Sequence, residues 1–141
     1  MRFMQPRISL VTLGVMDFNR ALKFYRDDLG WKAQVQDDVA FFPLNGIVLG
    51  LYPREKLAED ALTKDTKPSF SGITLAYNVG SEKEVDEILE KVTKFGAKLV
   101  KPGQKVFWGG YSGYFSDPEG HLWEVAHNPF WKLDKNGNVI L

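Results

Sequence analysis

A chain of 141 residues, 44% hydrophobic and 26% charged, is long enough for one compact domain that buries roughly 70% of its unfolded surface. Eighteen basic residues balance eighteen acidic ones, which removes the electrostatic footprint of a protein that binds nucleic acid or an anionic membrane. No cysteine is present, so disulfides, zinc–thiolate centres and thiol nucleophiles are excluded.

The opening residues, MRFMQPR, lack the apolar stretch of a secretory signal. The longest uncharged run, Val39 to Tyr52, is interrupted by Pro43, Asn45 and Gly46 and falls short of the ~18–20 residues that span a bilayer. A soluble, cytoplasmic protein is expected. Aromatic residues make up 13% of the chain, enough both for a large core and for the lining of an apolar pocket.

In chain order, residues 8–15 form a β-branched, apolar run that predicts a strand. Asp17 stands where an N-cap belongs, and Phe18, Ala21, Leu22, Tyr25 and Leu29 follow on one helical face, stopped by Gly30. Strand-like runs come next at 31–36, 39–44 and 47–52, turned by Asp37-Asp38 and Asn45-Gly46. The polar segment 53–70, with a short helix predicted over 54–62, reads as a linker. A second strand over 73–79 leads to Ser81-Glu82-Lys83-Glu84, a capping box, and to the stripe Val85, Ile88, Leu89, Val92 and Phe95 before Gly96. Strands are predicted at 98–101, 111–116 and 121–127, the last two joined by Asp117-Pro118-Glu119-Gly120. The tail after Pro129 carries Phe130 and Trp131, then a turn at 134–138 into Val139-Ile140-Leu141, and is expected to pack back on the body.

The pattern strand, N-cap, helix, glycine stop, strands thus occurs twice. It predicts a single α+β domain of two βαβββ modules, residues 7–52 and 71–128, joined by 53–70 and followed by the tail 129–141. A cleft between or within the halves is where function is expected.

Two stretches carry a family resemblance. Leu13-Gly14-Val15-Met16-Asp17 through Ala21–Trp31 is similar to the first-module signature of the vicinal oxygen chelate superfamily, which includes glyoxalase I, extradiol dioxygenases and bleomycin resistance proteins. Phe115-Ser116-Asp117-Pro118-Glu119-Gly120-His121-Leu122-Trp123-Glu124 resembles its closing signature. The resemblance implies a glyoxalase-like curved mixed-sheet cup with helices outside, and a divalent metal held by one residue from each of four strands. Those positions fall on Leu10, Gly50, Thr74 and Glu124, of which only Glu124 is of ligand type. Metal needs several donors converging at ~2.0–2.5 Å, so no metal or other cofactor is expected, with a divalent ion as the alternative. His121 and His127 do not supply the lack, because strand alternation points them away from Glu124.

The same alternation groups Leu10 with Ile8 and Thr12, Thr74 with Gly72 and Ala76, and Gly50 with Val48 and Tyr52. With Phe42, Tyr114, Leu122 and Trp108 these make a largely apolar, aromatic set of ligand-binding candidates. Gly109-Gly110 either lets the Trp108 loop approach a ligand closely or simply turns the chain. Glu124 is either a salt-bridged strand residue or an acidic group at the cup floor, able to accept from a ligand or act as a general base. If it is buried among aromatics, its pKa is expected to rise.

Three functions follow. The first is a metal-free protein that binds a small apolar or aromatic molecule in the cup. The second is a metal-dependent lyase/isomerase or dioxygenase. The third is an interaction module whose cleft is filled by its own Phe130 and Trp131. A homodimer is the expected assembly, as in the family.

Overall fold

The computed structural model describes residues 4–66 and 69–141, which fall into two compact units, Met1–Asp65 and Thr66–Leu141. Among the described residues no helix is long and apolar enough to cross a membrane.

In the first unit, strand β1 (Leu10–Val15) leads through the Asp17 cap into helix α1 (Phe18–Leu22), with the Asp17 carboxylate accepting from Arg20 N–H at 3.0 Å. The expected helix runs to its glycine stop but changes character. Residues Lys23–Asp28 form a π-helical segment in which Leu29 N–H donates to the Phe24 carbonyl, five residues back, at 2.9 Å. The wider turn seats Phe24 beside Tyr25 in the core, where both are buried; a regular 3.6-residue stripe names only Tyr25. Gly30 then takes φ +78°, a conformation that costs a glycine nothing.

Strands β2 (Gln34–Gln36), β3 (Val39–Pro43) and β4 (Val48–Pro53) complete a sheet of order β1-β4-β3-β2, with β1 and β4 parallel and the rest antiparallel. Helix α2 (Arg54–Asp60) lies inside the segment read as a linker. It packs against β1 and β4, close enough that a Cβ on Gly14 would meet Arg54 Cγ at 2.9 Å.

The second unit repeats the topology. Strand β5 (Leu75–Asn78), helix α3 (Glu82–Lys94) and strands β6 (Lys98–Lys105), β7 (Tyr111–Ser116) and β8 (Leu122–His127) give the order β5-β8-β7-β6, again with the first pair parallel. The capping box forms: Ser81 Oγ accepts from Glu84 N–H at 3.2 Å, while the Glu84 carboxylate accepts from Gly80 N–H at 2.8 Å. Ser81→Ala is expected to cost about 1 kcal/mol of unfolding free energy, read from the denaturation midpoint. Val85, Leu89 and Val92 are buried under α3. β6 runs four residues beyond its expected end by absorbing two register shifts, one between Leu99 and Lys101 and one across Pro102-Gly103.

The tail meets expectation only in part. Strands β9 (Lys132–Leu133) and β10 (Val139–Ile140) pair only with each other, around a turn in which Asp134 accepts from Asn136 and Asn138 N–H. Leu141 is 94% exposed. Local Asx hydrogen bonds shape the turn of this segment, and its contact with the body is made by the Phe130 ring, which a Cβ on Gly109 would meet at 2.8 Å.

Candidate functional site

Each four-stranded sheet has one face covered by its main helix; the other face of the first sheet is covered by α2 at its Gly14–Tyr52 end and exposed toward Leu10 and Phe41, and that of the second is exposed at Ala76 but buried at Ser112 and Ala126. In the first unit the covered face carries Leu13, Val15, Ala40, Phe42, Leu49 and Leu51, all buried. The open face follows from pairing: Thr12 and Phe41 both lie opposite Gly50, and Leu10 lies opposite Val48. A Cβ on Gly50 would meet Thr12 Oγ1 at 3.2 Å, a Leu10 methyl at 3.6 Å and the Phe41 ring at 3.7 Å. Leu10, Thr12 and Gly50 are therefore brought together as expected, and Tyr52 shares their strand face opposite Gly14.

Phe42 does not join them. It is fully buried on the helix side, its ring 5.8 Å from Tyr25 and 6.3 Å from Trp31. The register of β3 against β4 puts Phe41 on the open face instead, and strand alternation then sends Phe42 to the other side. Two adjacent phenylalanines carry no local signal for which one faces inward; only the pairing partner decides.

In the second unit the covered face holds Phe115 and Trp123, stacked at 6.1 Å, and Val125. The open face centres on Glu124, flanked across the sheet by Ala76 on β5 and Tyr114 on β7. Leu122 and Ala126 share its face by alternation. Thr74 stands just before β5, and its side chain hydrogen-bonds that of Tyr114. Burial, and then the negative charge of Glu124, push the Tyr114 phenol above its ordinary value, partly offset by the Thr74 hydrogen bond, so it stays a neutral hydroxyl through the physiological range. Glu124 itself is only partly buried rather than enclosed by aromatics.

Trp108 lies in the tight turn between β6 and β7, closed by Val106 N–H to the Gly110 carbonyl at 3.0 Å. Its ring rests on Gly110, where a Cβ would fall 1.7 Å from it. The glycine thus serves the packing of Trp108 on its own loop. Phe130 and Trp131 are 75% and 45% exposed, so the tail aromatics do not sit as a buried plug. His127 Nδ1 lies 3.1 Å from the Val79 carbonyl and is used structurally.

The donor set does not suit a divalent metal. Leu10 and Gly50 have no side-chain donor, and the neutral Thr74 hydroxyl is a weak one. Among the described residues no three His, Cys, Asp or Glu side chains cluster as a metal site would require.

Comparison with known proteins agrees with this architecture. The family model described as Glyoxalase/Bleomycin resistance protein/Dioxygenase superfamily matches residues 7–125. A solved glyoxalase-related enzyme from Fulvimarina pelagi superposes with a TM-score of 0.88 at 32% identity, covering 97% of this chain and 99% of that one. Metallothiol transferase FosB from Shouchella clausii is 30% identical over 84% of this chain and 77% of its own length; its counterpart from Lysinibacillus sphaericus is 28% identical over 83% and 79%. With the matched model spanning both βαβββ units, this chain belongs to the Glyoxalase/Bleomycin resistance protein/Dioxygenase superfamily.

Proposed function

We propose that this protein binds a small, largely apolar or aromatic molecule at its open sheet faces and does so without a metal. The observation that carries this reading is the side-chain chemistry at the four positions where the family resemblance places metal ligands. Three of them, Leu10, Gly50 and Thr74, provide hydrocarbon, backbone alone and a weakly donating neutral hydroxyl; exposed Phe41 stands by the first two and the phenol of Tyr114 by the third. Such a surface gains by excluding water from apolar area, at about 25 cal/mol per Å² buried, and has one polar row with which to orient a ligand. The protein is proposed to act in the cytoplasm as a homodimer, with a small molecule rather than nucleic acid or membrane as its partner.

The names of the metallothiol transferase relatives favour a second reading, a metal-dependent transferase, beside the metal-dependent lyase/isomerase or dioxygenase that the family resemblance implies. The two are separated by native mass spectrometry of the purified protein before and after addition of Ni²⁺, Zn²⁺, Mn²⁺ or Fe²⁺. The expected result is bare chain or chain with an organic adduct, and saturable uptake of an aromatic fluorescent probe. One tightly held divalent ion per chain would overturn the metal-free reading.

A further inference from the structure

The row around Glu124 offers more than apolar contact. Thr74 and Tyr114 share one side-chain hydrogen bond, so two hydroxyls spend one of their two protons on each other and keep oxygen lone pairs for a ligand. Beside them Glu124, when ionised, is an acceptor only. Among the described residues no Lys, Arg or His forms an ion pair with it, Lys101 on the outer strand opposite Tyr114 included. On the face it is flanked by Tyr114 and Ala76, with Leu122 and the buried Ala126 along its own strand and Lys101 one strand beyond Tyr114. A partly covered carboxylate in such company attracts a cation and repels an anion. The Tyr114 ring adds an aromatic face on which a cation can rest.

We infer that this face selects molecules bearing a protonated amine on an apolar or aromatic body, with the ammonium donating to Glu124 and to the Tyr114 oxygen and the body lying over Leu122 and Ala76. This rests on the binding reading above and narrows its ligand class to amines. Tyr114 and Thr74 orient the ammonium, and Glu124 supplies the charge that discriminates it.

The test is an NMR titration of the full ¹⁵N-labelled chain at pH 7 with three probes of one shape: phenethylammonium, 2-phenylethanol and 3-phenylpropionate. Phenethylammonium is expected to bind about tenfold tighter than the alcohol, with shifts centred on Ala76, Tyr114 and Glu124, and the carboxylate more weakly than either. Glu124→Gln should erase the difference between ammonium and alcohol. Tyr114→Phe, which keeps the ring, should weaken the ammonium several-fold and the alcohol less. Equal affinity for ammonium and alcohol in the native chain would overturn the amine selection while leaving the binding face intact. Absence of shifts on this face with all three probes would overturn both.

Discussion

Phe42→Ala is expected to destabilise the protein by about 3–5 kcal/mol, whereas Phe41→Ala, one residue earlier, should cost under about 1 kcal/mol. Phe42 has no exposed surface and its ring packs with Tyr25 and Trp31, so truncation removes buried hydrocarbon and leaves a cavity that the π-helical turn and the sheet cannot close. Phe41 is 38% exposed on the opposite face, where its loss removes less buried hydrocarbon and leaves a space open to solvent. Urea unfolding of the two variants measures both, and aromatic-probe uptake should move in the opposite order: Phe41→Ala weakens it and Phe42→Ala affects it only through stability. Equal destabilisation would contradict the face assignment on which the site rests.

Gly113→Ala is the second large effect. Gly113 lies on β7 where that strand passes beneath α3 and beside the irregular stretch of β6. An added Cβ would come within 2.6 Å of a Leu89 methyl, 2.6 Å of the Lys101 carbonyl oxygen and 2.9 Å of Gly103 N. Two of those three are backbone atoms and cannot rotate away, so the strands must separate or α3 must lift. A loss of about 1–3 kcal/mol is expected, at the upper end because the clash is with main chain. Gly80→Ala is the control: its Cβ would meet only Glu84 Oε2 at 3.4 Å, and it should stay within about 0.5 kcal/mol of the native protein. Chemical denaturation of both variants, with unchanged slope, checks the pair.

Much of this protein is written in local chemistry. Asp17 and Ser81 cap the helices where their side-chain oxygens stand ahead of apolar stripes, Gly30 and Gly96 end them at positive φ, and Asn45-Gly46 turns β3 into β4. These are effects of a few neighbouring residues, so they survive without knowledge of the rest of the chain. The repeat of such signals implied two like units, and the two sheets have the same strand order. Strand alternation likewise grouped Leu10 with Thr12 before any pairing was known.

Tertiary structure alone decided what depends on pairing register and packing rather than on local pattern. Pairing of Phe41 with Gly50 turned Phe42 into core; the π-helical segment brought Phe24 inward; the bulges of β6 carried it past Pro102. The same holds for the site. That Glu124 carries a carboxylate is plain from the chain, but its place between Ala76, 48 residues away, and Tyr114, 10 residues away, with Thr74 engaging the phenol, comes from three strands meeting in register. Alternation specifies which residues share a face of one strand, and only hydrogen-bonded register specifies which strands bring their faces together.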